Sequence, residues 1–336
     1  MAGVHGESTP RQLARRVAPA VLLLALLAAV VAFAPGLGEA RHLLAHADPA
    51  WLAVAVGLEL LSCLGYVVAF RPVFCSRMLR RSASQLAWAE LGIGSLLPAG
   101  GTGGLAFGAW FLTHNGMDGE EVARRTVAFF LLTSLANFAA VAVVGTFLAL
   151  GLGPDQPLWR SALPAAVAVA AIAVVVGMGR RPVPAKASSP RGRLGRWWAA
   201  ARLSIAGGVH IAGRLVTRPA VIAGCIGYWL FDNLVLWATF HAVGVTPPLS
   251  VILIGYLLGS LGALIPVPGG IGGVDGALVG ALVLYGAPAS ATVEAVLAYR
   301  VILFWLPLIG GGIAYASLRR GLSAAPIPAV QRSSSS

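Results

Sequence analysis

The sequence predicts an all-α integral membrane protein with six full crossings plus two re-entrant broken-helix hairpins, arranged as an inverted repeat of two halves. Three observations lead to this fold class. Hydrophobic residues make up 58% of the chain, charged residues make up 11%, and the mean hydropathy is +0.83, so the chain cannot present an ordinary water-facing surface. Long apolar runs recur along the chain. Two glycine-rich runs, GGTGG and GGIGG, each interrupt an apolar segment.

The six predicted crossings are apolar runs close to the roughly 20 residues that a helix needs to span a bilayer. They lie at 17–34, 51–70, 126–151, 162–178, 219–240 and 296–316. The first run follows several arginines, as the apolar part of a signal peptide does, but the Ala45-His46-Ala47 sequence that resembles a cleavage site lies well beyond it. We therefore expect an uncleaved membrane anchor.

Two further apolar segments, at 86–113 and 251–286, are broken at 98–104 and 266–273. Their pieces have about 10 to 16 residues, so the shorter ones reach only halfway across a hydrocarbon core of about 30 Å. Basic residues favour re-entrant hairpins over single broken crossings, because short cytoplasmic loops are rich in Lys and Arg. With both segments re-entrant and both termini cytoplasmic, 21 of the 24 basic residues lie inside. The prediction is a multi-pass protein of the cell membrane.

The two glycine runs align at an offset of 169 residues, which indicates an internal repeat. Each half has three crossings and one hairpin. Because three is odd, the halves have opposite orientations, an arrangement common among alternating-access transporters. The predicted domains are a cytoplasmic tail at 1–16, a first membrane repeat at 17–160, a second at 161–320 with a basic cytoplasmic loop at 180–218, and a disordered tail at 321–336.

The glycine breaks are the predicted lipid-headgroup site. Successive glycines let backbone N–H groups converge, and half-helices beginning near Leu105 and Val274 direct positive dipole ends towards the membrane interior, which suits an anion. The competing interpretation is that these glycines and prolines serve only close helix packing. The predicted contact residues in the two runs are Pro98, Gly100, Gly101, Gly103, Gly104, Pro268, Gly269, Gly270, Gly272 and Gly273.

Ionisable residues at membrane depth are further candidates, since they are costly in hydrocarbon and usually face a cavity or a partner. Asp275 lies in the first turn of its half-helix, where it either caps the helix dipole or takes part directly in headgroup contact or gating. Arg300 either snorkels to the outer interface or pairs with Asp275 or a lipid phosphate, and we expect pairing. The candidate gating residues are Glu59, Glu90 and Asp232.

Enzymatic and nucleic-acid functions have weaker support. The run from Glu120 to Arg125 matches the EExxxR pattern of intramembrane prenyl-type proteases, but Asp118 and Glu121 also form an N-terminal capping box for the next crossing, and we favour the cap. The cysteines show no metal-ligand spacing, and no metal or cofactor is expected. The net charge of +12 reflects cytoplasmic loops rather than nucleic-acid binding.

The basic loop at 180–218 has two interpretations. Trp197 and Trp198 among arginines are typical of an interfacial helix that lies against anionic lipid. A solvated, positively charged cytoplasmic linker accounts for the same charges equally well.

Pro98 with GGTGG, and IPVPGGIGGVDGAL followed by AYRVILFWLP, resemble the lysylphosphatidylglycerol synthase transmembrane-region family (UPF0104-type) over roughly residues 15–320. The second family motif is Pro-Gly-Gly-x-Gly, then an acid, then Tyr-Arg. Its positions here are Gly269, Gly270, Gly272, Asp275, Tyr299 and Arg300. The resemblance therefore adds Tyr299 to the predicted headgroup-binding residues.

This chain departs from the family pattern at two places: the acid is usually Glu, and the first motif often carries Asn and charged residues where this chain has Ser95 and Leu105-Ala106. In full-length synthases the membrane region acts as a lipid flippase joined to a soluble aminoacyl-transfer domain. The resemblance thus implies a stand-alone flippase-like protein without that domain.

The predicted function is translocation of an amphiphilic lipid, either a phospholipid or a polyprenyl-linked glycolipid, between leaflets, without enzymatic activity. The alternative is a non-transporting membrane scaffold or accessory subunit of a lipid- or glycan-modifying enzyme. The expected partners are membrane lipids and, in the alternative, such an enzyme.

Overall fold

The computed structural model describes residues 47–75, 79–96, 102–151, 157–180, 192–260 and 273–324, and these ranges contain ten α-helices and no strand. The protein is therefore an all-α membrane protein, as predicted. The helices, in chain order, are α1 Pro49–Phe74, α2 Arg80–Leu96, α3 Thr102–His114, α4 Gly119–Ala149, α5 Leu158–Gly179, α6 Arg193–Leu215, α7 Pro219–Ala242, α8 Leu249–Ser260, α9 Gly273–Leu284 and α10 Ala289–Ala324.

Five helices, α1, α4, α5, α7 and α10, are long and apolar enough to cross a membrane. They confirm five of the six predicted crossings, and the sixth, at 17–34, lies outside the described residues. The helices extend beyond the apolar runs because local signals fix their ends. At α1, for example, the side chain of Asp48 accepts a hydrogen bond of 2.8 Å from the Ala50 N–H, and Pro49 occupies the first turn.

The two interrupted segments form helical hairpins whose arms are short. The arms α2, α3, α8 and α9 have 17, 13, 12 and 12 residues, or about 18–26 Å of helix, less than a hydrocarbon core of about 30 Å. Small residues let paired arms approach. A Cβ on Gly259 of α8 would lie 2.7 Å from the Cα of Leu278 on α9.

The helix starts correct the predicted extent of the first break. We expected the half-helix to begin near Leu105, but α3 begins at Thr102, so Gly103 and Gly104 lie in its first turn. Gly273 is likewise the first residue of α9. The remaining glycine-run candidates lie outside the described residues: Pro98, Gly100, Gly101, Pro268, Gly269, Gly270 and Gly272.

The turn that follows each hairpin is the same in both halves. Gly116 and Gly286 have φ angles of +91° and +97°, a conformation that glycine adopts without steric cost. The next residue, Met117 or Ala287, donates its N–H to a carbonyl five residues earlier, at 3.0 and 3.1 Å. This turn sets the structural offset of the repeat at 170, one residue more than the glycine runs alone indicate.

The two halves meet where α1 crosses α7. The N–H of Asp48 donates to the Ala242 carbonyl at 2.9 Å, so the start of α1 lies beside the end of α7 and the helices run antiparallel. Gly65 of α1 and Gly224 of α7 allow close backbone approach, as small residues do in membrane helix pairs. Each half also packs its last long helix on the other half's hairpin, α10 on α2 and α4 on α8.

Candidate functional site

An ion pair joins the second hairpin to the last long helix: Arg300 of α10 donates from Nε to Oδ1 of Asp275 on α9, as predicted. The hairpin turn explains why they meet. Asp275 precedes Gly286 by 11 residues and Arg300 follows Ala289 by 11 residues. At 1.5 Å of rise per residue, each charge lies about 16 Å along its helix from the turn.

The depth of Arg300 differs from the prediction. The apolar run placed it near the start of the last crossing, where snorkelling to the interface is easy, but α10 begins at Ala289 and has 36 residues. Arg300 therefore lies about 10 Å from the middle of the helix, inside a hydrocarbon layer of about 30 Å centred on it. At that depth a charge requires a partner, and Asp275 provides one. Asp275 also occupies the first turn of α9, where it opposes the helix dipole.

The ion pair leaves donors available. The side chains of Arg300 and Asp275 retain 33% and 23% of their exposure. Within the described residues, Arg300 makes its hydrogen bond through Nε, so the two Nη groups can still donate to another anion. A guanidinium in this state can bind a phosphate in two-point contact.

Next to this pair, Asp232 connects three helices. It lies buried on α7 and accepts hydrogen bonds from the hydroxyls of Tyr256 on α8 and Tyr299 on α10, the latter at 3.0 Å. The hydroxyl of Tyr299 is thus engaged with Asp232, so in this conformation Tyr299 links α10 to α7. These bonds hold the first arm of the second hairpin and the helix that carries Arg300 against α7.

Glu59 of α1 lies on the same side of the α1–α7 contact. It is 4% exposed, and its Oε1 accepts a hydrogen bond from the Cys63 Sγ at 3.4 Å. Its Oε2 is buried and has no hydrogen-bond partner among the described residues. An unpartnered buried carboxylate oxygen is costly, which is consistent with the predicted candidacy of Glu59 for a functional role.

The first hairpin has a simpler polar contact. Glu90, buried on α2, accepts a hydrogen bond of 2.5 Å from the Tyr66 hydroxyl of α1. Its second oxygen, Oε2, lies against Gly108 of α3, where a Cβ would collide with the carboxylate. Gly108 therefore makes room for a buried acid between the two arms of the hairpin.

Each half thus contains one tyrosine–carboxylate hydrogen bond between its central helix and the first arm of its hairpin. In the first half the tyrosine is on the central helix and the acid is on the arm (Tyr66 to Glu90). In the second half the roles are exchanged (Tyr256 to Asp232), and the two residues are again 24 positions apart. These bonds hold each hairpin in register against the core of the molecule.

Sequence reasoning selected the three acids but missed their tyrosine partners and Gly108. A tyrosine in an apolar run carries no charge and gives little signal, and the packing of distant helices is needed to pair it with an acid. The capping prediction is confirmed: Asp118 accepts a hydrogen bond of 3.1 Å from the Glu121 N–H at the start of α4. The Glu121 side chain pairs with Arg124 and Arg125.

Comparison with known proteins agrees with this architecture. The family model described as the lysylphosphatidylglycerol synthase TM region matches residues 19–311. Two matches are to proteins of Methanothermobacter thermautotrophicus (strain Delta H) described as UPF0104 membrane protein. One is 35% identical over 86 residues, covering 25% of this chain and 26% of the relative, and the other is 29% identical over 165 residues, covering 43% and 46%. The matches thus span less than half the length of these relatives.

Proposed function

Because the chain belongs to the lysylphosphatidylglycerol synthase transmembrane-region family, we propose that it translocates an anionic amphiphile, a phospholipid or a polyprenyl-linked glycolipid, between the two leaflets. The observation that carries the proposal is the ion pair between Asp275 and Arg300 at the inner end of a hairpin arm. It places a guanidinium with free donors deep in the apolar part of the protein.

The chemistry of translocation requires such a group. The obstacle to moving a lipid across a bilayer is the transfer of its charged headgroup through hydrocarbon, while the acyl chains remain in lipid throughout. A phosphate that contacts Arg300 exchanges water for a charge-assisted hydrogen bond. Asp275 keeps the site nearly neutral when no headgroup is bound, because it balances the arginine.

The hairpins supply the path for the headgroup. Four short arms bring helix ends into the apolar layer, and irregular backbone at that depth must face protein or a water-filled cavity. The arms pack on helices of the opposite half, so a relative movement of the halves shifts both hairpins together. We infer that the headgroup passes between the second hairpin and α10.

The test is leaflet exchange of a headgroup-labelled anionic lipid in vesicles that contain the purified protein. Arg300→Gln removes the charge and keeps a similar length. Loss of a charged hydrogen bond is worth about 1.5–3 kcal/mol, so we expect exchange to slow by about ten-fold or more. The control is Arg320→Gln on the same helix, an exposed residue whose Nε contacts the Ala316 carbonyl, and exchange should be unchanged.

A charge swap, Asp275→Arg with Arg300→Asp, separates the two roles of the pair. The swap keeps an ion pair between α9 and α10 but moves the guanidinium to the other helix. Full exchange by the swapped protein would mean that the pair only joins helices, and it would contradict headgroup contact by Arg300. Failure of the folded wild type to accelerate exchange of any anionic lipid would favour the alternative, a membrane scaffold for a lipid- or glycan-modifying enzyme.

A further inference from the structure

A second cluster of charge lies far along the chain from the hairpin breaks, around a cavity of about 570 Å³. This volume is within the range of about 300–1,000 Å³ that is usual for ligand pockets. Four arginines and one glutamate supply its charged groups, so positive charge is in excess. The lining residues are Pro72, Glu121, Arg124, Arg125, Gly207, His210, Ile211, Arg214, Leu215 and Arg218. We call this the basic cavity.

The position of the basic cavity relates it to the membrane surface. Pro72 is near the end of α1, Arg124 and Arg125 are near the start of α4, and Arg218 immediately precedes α7. Three membrane-crossing helices therefore begin or end around it. This is the level at which lipid headgroups lie beside a membrane protein, and the distribution of basic residues predicts that it is the cytoplasmic level.

Helix α6 closes the remaining side. Gly207 and Gly208 let it approach α4 closely: a Cβ on Gly208 would lie 2.6 Å from the Cβ of Val127. This packing explains how the loop at 180–218 becomes a wall rather than a solvated linker along α6. His210 and Arg214 follow on the same helix and line the cavity.

The arginines of the basic cavity fall into two groups. Arg125 is fixed by a hydrogen bond of 2.6 Å from Nε to Glu121 and by one of 2.5 Å from Nη1 to the Val73 carbonyl, and Arg124 lies 3.4 Å from Glu121. Arg214 and Arg218 are exposed, and the structure shows no acidic partner for either within the described part of the chain. Glu121 is thus neutralised by the inner arginines, and the outer two can receive an anion.

We propose that the basic cavity binds a phosphate ester, with Arg214 and Arg218 as the contacting residues and Arg125 as a fixed cation at the base. The shape of the site favours a lipid headgroup as the source, because the helix ends around it coincide with the headgroup level. The site is separate from the hairpins, so it provides a place where an anionic lipid is held at one membrane surface.

The experiment measures binding to the purified full-length protein in a neutral detergent. The three probes are a short-chain phosphatidic acid, the matching phosphatidylcholine and glycerol 3-phosphate, and retention is followed by native mass spectrometry. An arginine near a membrane surface contributes about five-fold to anionic-lipid binding, so Arg214→Gln with Arg218→Gln should weaken binding of phosphatidic acid by about thirty-fold. The matched control is Arg202→Gln, an exposed arginine on α6 that does not line the cavity.

Each outcome has a definite meaning. Binding of phosphatidic acid that the double variant loses and the control keeps supports the site, and equally tight binding of glycerol 3-phosphate would identify a soluble phosphate ester as its ligand. Equal retention of phosphatidylcholine, or an equal loss from Arg202→Gln, overturns the proposal, because it would mean that overall charge or detergent exchange is being measured. This result does not depend on leaflet exchange, so failure here leaves the proposed function unaffected.

Discussion

The contact between α1 and α7 gives the sharpest test of the packing. A Cβ added to Gly65 would lie 2.5 Å from the Tyr228 nitrogen, 2.9 Å from the Gly224 oxygen and 3.0 Å from a Gly227 carbon. All three are backbone atoms, which cannot rotate away. Since carbon contacts are normally about 3.5–4.0 Å, Gly65→Ala forces the helices apart by about 1 Å. Overpacking of this kind costs about 1–3 kcal/mol.

The protein contains its own probes for this measurement. Cys63, Cys75 and Cys225 are free and buried, so a thiol-reactive fluorophore labels them only as the protein unfolds. We expect Gly65→Ala to lower the midpoint of thermal labelling by on the order of 2–10 °C. The control is Gly57→Ala on the same helix, where a Cβ would meet nothing within 4 Å. Equal midpoints for the two variants would refute the close approach at Gly65.

Two further predictions use the same thermal assay. Gly108→Ala should destabilise the protein because its Cβ collides with the carboxylate of Glu90, and Glu90→Ala in the same chain should recover part of the loss. A coupling below about 0.5 kcal/mol in that double-mutant cycle would contradict the contact. Tyr299→Phe removes a donor to Asp232 and should cost about 1–3 kcal/mol, while Tyr315→Phe, on the exposed side of the same helix, should change stability by less than about 0.5 kcal/mol. Similar losses from both tyrosine variants would argue against the role of Asp232 as a link.

The long helices were predictable because crossing a bilayer requires an apolar run, and such runs are visible in the sequence. Their ends were less so. The segment that precedes the predicted start of the last crossing, ASATVEA at 289–295, contains polar residues and an acid, yet it is helical in α10. Hydropathy registers the apolar layer, whereas a helix continues until a cap, a glycine or a proline stops it.

The candidate site divides in the same way. Asp275 and Arg300 were predictable as a pair because a local hairpin turn places them at equal distances from Gly286. The link from Asp232 to Tyr256 and Tyr299 depends on how α7 packs against α8 and α10, which no local pattern indicates.

The basic cavity was missed for a related reason. Its arginines come from α4, α6 and the residue before α7, and in the sequence each had a sufficient explanation as a cytoplasmic anchor.

The ion pair of Asp275 and Arg300 has no counterpart in the first half, because the offset of 170 places Leu105 and Phe130 at those positions. Two chemically identical inverted halves would give two conformations of equal energy, each converted into the other when the halves exchange roles. In this chain that exchange would set a charged pair against two apolar side chains, so the degeneracy is lost. A difference of about 1.4 kcal/mol already gives a ten-to-one ratio of populations. The molecule therefore has a preferred resting conformation, and any cycle of movement begins from the same side of the membrane.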